Sequence, residues 1–529
     1  MFRYYFKATR LSLLIFLLFP VAITLAQSAT ATLSGAVVDQ TGAVVPGAEI
    51  TLINTATGLL RRATTNEYGY FIVPLLPPGA YTVRAQREKF APVEISNVVL
   101  NVHDQRAIQI QLKVGVIGDT VNVVNEAPLI DESPAVATVV DRQFLENLPL
   151  NGKSFQSLIS LTPGVALTNA GSGQFSVNGQ RSNANYFTVD GVSANIGITT
   201  GPGGSILGNT ASGSLPGLTT FGGTNGLVSV DALQEFKIQT SSYSSEFGRS
   251  PGGQVSLVTR SGTNEFRGAL FEYFRNEALD ANDWFTNRAS APKAPLRQNQ
   301  FGGVAGGPIF LPRFGEGAPY SYDGRNRTFF FFSYEGLRLR LPQFIISDVP
   351  SLRLRQEAGS PVRPLLDSFP IPTGPEFLDA RSRPTGAAPF SAAYSDLVSL
   401  DAAGVRVDHT VNKKLAVFAR YNYAPSRNES RERSNISNAI SDIRTLTMGG
   451  TLSASPLLSN EIRVNYSRAQ GQEYNILDDF GGAIPVPDSL LFPPFASPER
   501  NLVQIGLSFA SIDGYARGTG ATNGFVAGI

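Results

Sequence analysis

Few residues in this chain could do chemistry on their own. There is no cysteine among the 529 residues, and the two histidines are His103 and His409. A cysteine nucleophile, a disulfide scaffold and a thiolate metal site are excluded. Histidines so far apart make no local metal motif. Gly248-Arg249-Ser250-Pro251-Gly252 fits G-x-S-x-G. A nucleophile elbow needs a strand before the serine, a helix after it and a histidine partner. Pro251 and the Gly252-Gly253 pair oppose that context. Gly152-Lys153-Ser154 looks like the end of a phosphate-binding loop, but Asn147 stands where the first glycine belongs. Asp190-Gly191 reads as a tight turn rather than an acid catalyst. Glu265, Glu272 and Glu277 read as wall or loop charges, and His409, among Val405, Val407 and Val411, as a packing residue. The expectation is no catalytic residue, no metal ligand and no cofactor. With 43 Lys+Arg against 42 Asp+Glu, the net charge of +1 argues against a nucleic-acid partner.

The elements that carry these residues are mainly β. Gly (52), Phe (34) and Tyr (17) are abundant, and charged residues make up only 16 %, against roughly 25 % in ordinary soluble chains. Residues 1–26 read as a signal peptide. Arg3, Lys7 and Arg10 precede the apolar run Leu11–Leu25, and Thr24-Leu25-Ala26 offers a cut before Gln27. The run contains Pro20 and falls short of the ~20 residues a spanning helix needs. An exported chain with no other long apolar run enters a membrane only as a barrel.

Residues 27–113 read as a β-sandwich, with strands at Thr32–Val38, Ala48–Ile53, Tyr81–Ala85 and Arg106–Leu112. Turns sit at Gln40-Thr41-Gly42, Glu67-Tyr68-Gly69 and Pro77-Pro78-Gly79. Residues 114–137 form a linker in which Pro128 and Pro134 discourage a helix. Its β-prone run reads as an edge strand or spacer, or as a segment that pairs with a partner's sheet edge. In residues 138–259, Val139–Leu148 and Ser154–Leu161 suit short helices. Phe175–Val177, Tyr186–Val189 and Phe236–Gln239 suit strands, and Gly197–Gly226 suits a long loop. From residue 260 to 529, segments of about ten residues alternate with period two. Val405, Val407, His409 and Val411 alternate with Arg406, Asp408 and Thr410, and Ile462, Val464 and Tyr466 with Arg463, Asn465 and Ser467. Leu415, Val417, Ala419, Tyr421 and Tyr423 share one face, and Ser351–Ser395 reads as a long polar loop.

The first domain resembles the carboxypeptidase regulatory-like domain, through Ser34-Gly35-Ala36-Val37-Val38-Asp39, Val45-Pro46-Gly47-Ala48, Thr65–Phe71 and Leu76–Tyr81. The resemblance implies a non-catalytic module of carbohydrate-binding-like fold. The remainder resembles the TonB-dependent outer-membrane receptors, specifically the Oar-like group. The carrying motifs are Leu148–Phe155, Leu161–Val165, Phe175–Arg181 and Asn185–Gly191, then Tyr243–Arg249, Gly252–Val255 and Thr259–Asn264. Within them Asn151, Gly152, Pro163, Gly164, Asn178, Gly179, Asp190 and Gly191 are the structural signature of the plug.

The resemblance implies a plug within an outer-membrane barrel, an external ligand and energy from a TonB complex. It also implies a TonB box ahead of the plug, which Asp119, Thr120, Val121, Asn122 and Val123 match in place and composition. The fold expected is mainly β: an N-terminal β-sandwich, an α+β plug, and the first part of a transmembrane antiparallel β-barrel. About eight or nine strand candidates follow residue 260, against about 22 in plugged transporters, so the sequence reads as the N-terminal portion of a receptor. Expected partners are the TonB complex on the periplasmic side, outer-membrane lipid and an unidentified ligand, with an oligosaccharide favoured by analogy alone. The alternatives are an outer-membrane adhesion or structural protein of the same architecture, and a secreted glycan-binding module.

Overall fold

The computed structural model of the chain describes residues 29–528, except 116–120, 124–128, 134, 143–144, 146–155, 170–173, 197–215, 218, 244–246, 289, 291, 313–319, 456–457 and 506–514. The segment 1–26 that reads as a signal peptide lies outside the described residues, as do Asp119, Thr120, Asn151, Gly152 and the Gly152-Lys153-Ser154 motif.

The first strands are β1 (Ala31–Val38), β2 (Glu49–Asn54), β3 (Leu60–Thr64), β4 (Tyr70–Leu76) and β5 (Gly79–Gln86). They are followed by β6 (Phe90–Ala91), β7 (Val93–Leu100), β8 (Gln105–Gln111), β9 (Lys113–Val114), β10 (Val121–Val123) and β11 (Ile130–Asp131). Two sheets, ordered β11-β8-β1-β4 and β10-β7-β5-β2-β3, face each other as a sandwich, with β6 and β9 paired beside them. Alternation decides which side chains go in: β1 alternates buried and half-buried positions along its first six residues. Leu33, Ile50, Leu52, Tyr81, Val83 and Leu100 meet fully buried between the sheets, each worth about 1.5–3 kcal/mol of burial. The β-prone linker serves both sheets. Val121–Val123 pairs parallel with Val93–Ile95, and Ile130–Asp131 pairs antiparallel with Arg106–Ala107.

The plug sheet has the order β12-β17-β18-β15-β16. Its strands are β12 (Val136–Val140), β15 (Tyr186–Val189), β16 (Val192–Ser193), β17 (Leu233–Ser241) and β18 (Gln254–Thr259). A hairpin of β13 (Val165–Asn169) and β14 (Gln174–Val177) and the short helix α1 (Gln156–Ile159) complete it. The helix expected over Val139–Leu148 is corrected at its start. Val136–Val140 is a β-branched run, and it pairs with Phe236–Ser241 instead. A helical hydrogen bond begins only after it, from Leu145 N to Asp141 O at 3.0 Å. Phe187, Phe236, Ile238 and Leu257 form the plug core, which Val304 and Phe331 of the following sheet join.

That following sheet is antiparallel and nine-stranded, ordered β19-β20-β23-β24-β25-β26-β27-β29-β28. Its strands are β19 (Arg267–Asn276), β20 (Arg297–Pro308), β23 (Thr328–Pro350), β24 (Ala387–Thr410) and β25 (Leu415–Glu432). Next come β26 (Asn435–Ser455), β27 (Leu458–Leu477), β28 (Leu502–Ile505) and β29 (Tyr515–Gly528). A side hairpin, β21 (Phe310–Pro312) with β22 (Tyr320–Asp323), joins β20 to β23. Among the described residues β19 and β28 do not pair with each other, so the wall is an arc. Its outer face carries exposed Val405, Tyr421, Met448 and Ile462, while Arg406, Arg420, Thr447 and Arg463 turn inward.

The strands are longer than the ten-residue segments expected. β24 has 24 residues, about 80 Å at ~3.3 Å per residue, whereas a spanning strand needs only about 9–11. Away from the sandwich the outer face turns polar, with Arg338–Asp401 at 3.0 Å and Arg444–Asp442 at 2.7 Å. Polar residues replace many of the apolar ones there, although Ile346 and Leu397 are exposed, so a search for unbroken apolar alternation stops early. The Ser351–Ser395 loop is likewise shorter, because β24 begins at Ala387. It holds two helices, α2 (Leu352–Glu357) and α3 (Arg363–Asp367). Phe369, Phe390 and Val486 give this distal region a small core of its own.

Candidate functional site at the two faces of the plug

Asp190 and Gly191 form the two-residue turn between β15 and β16, with φ of 49° and 78°. Asp-Gly suits such a turn because both residues take positive φ. The turn places the Asp190 carboxylate at the wall, where it is 3 % exposed. Within the plug it accepts from Thr259 N at 2.9 Å and Thr259 Oγ1 at 2.8 Å. From the wall Arg406 reaches it at 3.1 Å and Arg420 at 3.9 Å, and Arg463 donates to its backbone carbonyl. Burial alone would raise the Asp190 pKa. Arg406, Arg420 and the Thr259 hydrogen bonds outweigh it and hold the carboxyl below its ordinary range. Asp408, 2.8 Å from Arg406, and Glu461, paired with Arg463, balance the cations.

The plug also meets the wall farther from the sandwich. Arg420 donates to Leu227 O at 2.8 Å, Asn422 to Gly226 O at 3.2 Å, and Asn225 to Glu335 Oε1 at 2.8 Å. The described end of the Gly197–Gly226 stretch is thus a buried brace on the wall rather than a free loop.

The sandwich docks on the plug through Glu235, Lys237 and Ser256. The turn from β7 to β8, Asn101-Val102-His103-Asp104, has His103 at φ 57°. Lys237 Nζ donates to Val102 O at 3.1 Å, His103 O at 3.4 Å and Asp104 Oδ1 at 3.3 Å. Glu235 accepts from Val102 N, and His103 Nε2 lies 2.9 Å from Ser256 Oγ. The His103 ring sits edge-on to Phe247. Asp104, Glu235 and Lys237 are each under 5 % exposed. Burial pushes the Glu235 carboxyl up to about 8, with Asp104 adding to the rise and the Val102 amide and Lys237 opposing it. Burial, with Lys237 and Arg463, pushes His103 down to about 3.

Pro163, Gly164, Asn178 and Gly179 of the signature lie in two turns away from the Asp190 cluster. Asn178 N donates to Gly164 O at 2.8 Å, so the Pro163-Gly164 and Asn178-Gly179 turns abut. A Cβ on Gly164 would fall 2.3 Å from Asn178 Oδ1, and its φ is 82°; only glycine fits. Asn178 Nδ2 bonds Thr240 O at 2.9 Å, tying the hairpin to β17. Of the box candidates, Val121–Val123 is the sandwich edge strand β10. The Ser250 hydroxyl donates to Ala184 O, and His103 faces Ser256 rather than Ser250. His409 Nδ1 bonds Thr328 Oγ1 at 2.7 Å across β23 and β24. Among the described residues no group of three His, Asp or Glu side chains is placed to hold a metal ion.

Sequence reasoning missed both ion clusters. Arg406 and Arg463 were legible as inward-facing on their strands, but nothing in their spacing named Asp190 as the shared partner. Glu235 and Lys237 sit on one face of a strand, which flagged nothing by itself.

Comparison with known proteins finds three family matches along the chain. The outer membrane beta barrel domain family matches residues 258–525, the carboxypeptidase regulatory-like domain 32–113, and the TonB-dependent receptor plug domain 130–254. The chain is 30 % identical over 295 residues to the TonB-dependent transporter Oar of Myxococcus xanthus, covering 53 % of this chain and 25 % of that protein. It therefore spans about a quarter of that curated relative's length. Among solved structures it is similar to the outer membrane transporter YddB of Escherichia coli, at 12 % identity and TM-score 0.44, over 74 % of this chain and 44 % of that one. It is also similar to the siderophore receptor PirA of Acinetobacter baumannii, at 12 % identity and TM-score 0.34, over 65 % and 45 % of the two chains.

Proposed function

The chain belongs to the outer membrane beta barrel domain family and carries a TonB-dependent receptor plug domain, and we propose that it is an Oar-like receptor that serves energised uptake of an external ligand, with its sandwich in the periplasm. The observation that carries this reading is the buried Asp190 latch. A plug held in a wall by one carboxylate among three arginines is a closed gate that a directed pull can open. In this reading residues 1–26 are removed on export. Residues 27–113 are the periplasmic sandwich, 114–137 the coupling linker, 138–259 the plug and 260–529 wall. The chain moves its ligand without transforming it. The ligand class favoured is an oligosaccharide, by analogy with the carbohydrate-binding-like fold of the first domain.

Asp119–Val123 would be the segment TonB captures. Its β10 portion is bound by three residue pairs at a sheet edge, and an edge strand that short exchanges readily for a partner's strand. The test deletes residues 118–124 from the receptor in outer-membrane vesicles and measures capture of the purified TonB periplasmic domain. Capture by the parent and its loss in the deletion is the expected result. Equal capture by both would place the box elsewhere. In cells, uptake of a fluorescent short dextran should stop in the deletion if the oligosaccharide reading holds. Surface binding that survives the deletion, with no uptake in either form, would favour adhesion.

A further inference from the structure

The sandwich touches two bodies, and the two contacts differ in kind. On the plug, its Asn101–Asp104 turn is fixed by the buried Glu235 and Lys237, and Ala29 and Val102 pack on Val258. On the near rim of the wall, its Asn54–Gly58 turn gives one backbone hydrogen bond, from Asn264 N to Ala56 O at 3.0 Å. The turn is preformed: Asn54 Oδ1 accepts from Ala56 N at 3.1 Å and Thr57 N at 3.0 Å. Gly58, at φ 70°, sits against the Asn326 side chain. Asn264 and Asn326 brace each other by two hydrogen bonds of 2.7 Å, both exposed to water. Between the two contacts lies a cavity of ≈ 310 Å³, lined by Asn54, Pro78, Asp190, Arg406, His409 and Glu461.

From this asymmetry we infer that the sandwich is a cap that travels with the plug. When the gate opens, the rim contact breaks first and the Glu235–Lys237 dock stays closed. Buried hydrogen bonds to charged groups outlast exposed neutral ones, because water replaces the latter at little cost. The cavity leaves the rim turn room to lift without first repacking the dock. The inference rests on the uptake reading for its purpose, but the order of rupture is a property of the molecule alone.

The absence of native cysteine makes paired cysteines clean reporters. Receptor in outer-membrane vesicles is pulled by force microscopy through a handle at Thr120, which precedes β10 in the chain. After β10 peels, an event common to all variants, the next rupture is scored. The pair Ala56→Cys with Asn264→Cys, oxidised, should abolish that rupture, and reduction should restore it. The pair Ala29→Cys with Val258→Cys should leave it unchanged. Without any crosslink, Asn264→Pro, which removes the amide donated to Ala56 O, should lower its force and Lys237→Met should not. The reverse pattern, with the plug pair abolishing the rupture or Lys237→Met lowering it, would show that the sandwich leaves the plug first. A rupture untouched by either pair would show that neither contact bears the load; both results overturn the inference. Force is applied directly, so failure to capture TonB in the deletion experiment would leave this assay readable.

Discussion

The plug is held on two faces by buried charge, but the two sets are built differently. At the wall, the Asp190 carboxylate is shared by arginines from two strands and its backbone carbonyl is held by an arginine from a third, with Asp408 and Glu461 balancing the excess. At the sandwich, one lysine is aimed mainly at carbonyl oxygens of a single turn, and one carboxylate at a backbone amide. The wall latch therefore depends on the relative position of β24, β25 and β27. The sandwich dock depends on the shape of one turn. A change in wall curvature should disturb the first more than the second, which it reaches through the charge of Arg463 near His103.

The largest expected effect breaks the latch. Asp190→Asn removes the carboxylate that Arg406 and Arg420 share. Leaving buried cations without it should cost about 3–5 kcal/mol in plug docking. Plug release by urea in vesicles, and sensitivity of cells to a large glycopeptide antibiotic, should both report it. An unchanged urea midpoint would mean that Asp408 and Glu461 alone neutralise the three arginines. The dock should give less. Lys237→Met removes three donated hydrogen bonds but leaves Asp104 its 3.3 Å contact with Arg106. A loss of about 2–3 kcal/mol is expected, read as faster amide exchange at Val102 with the Asp190 turn unaffected.

The pH dependence sharpens the same contrast, because Glu235 and His103 are shifted in opposite directions. Glu235 lies at about 8 when docked, above its ordinary 4.5, so its contribution falls as pH rises through that window. His103 lies at about 3, below its ordinary 6.5, so its contribution falls as pH drops below 6.5. The surrounding charges, Asp104, Asp141, Lys237 and Arg463, are included in those shifts. The two slopes cancel between 4.5 and 6.5, giving a plateau. Between 6.5 and 8 only Glu235 acts, and the dock should weaken by about 1.4 kcal/mol per pH unit. Glu235→Gln should flatten that limb, and His103→Asn the acidic one. A dock whose exchange is flat from neutral to mildly alkaline pH would contradict the Glu235 assignment.

Much of the fold was legible because alternation and turn chemistry are local. The strict period of Ile108–Leu112 and the Pro78-Gly79 turn specify sandwich strands without reference to anything distant. The inward and outward faces of β24, β25 and β27 followed from alternation alone. The plug helix was misplaced because a β-branched run can be claimed by a neighbouring strand, and that neighbour, β17, is a hundred residues away. Strand length was underestimated because the distal parts of β25 and β27 put polar residues on both faces, as at 427–431 and 470–475. The site was the least legible part. Asp190 meets Arg406 across 216 positions, and Val102 meets Glu235 across 133. No local pattern encodes such a pairing.

The smallest expected effect belongs to the rim, and it discriminates most. Asn264→Ala removes the reciprocal side-chain bonds with Asn326 but keeps the backbone bond to Ala56. Both lost bonds are exposed, where each contributes no more than the low end of the usual range, about 0.5 kcal/mol, so global stability should move by about 1 kcal/mol or less. Amide exchange at Ala56 and Thr57 should stay slow, because Asn54 caps that turn from within the sandwich. Exchange at Asn326 should quicken, because its amide bonds the Asn264 side chain directly. If instead the Val102 amide quickened as well, rim and dock would be one cooperative unit, and the separation of the plug's two faces would have to be abandoned.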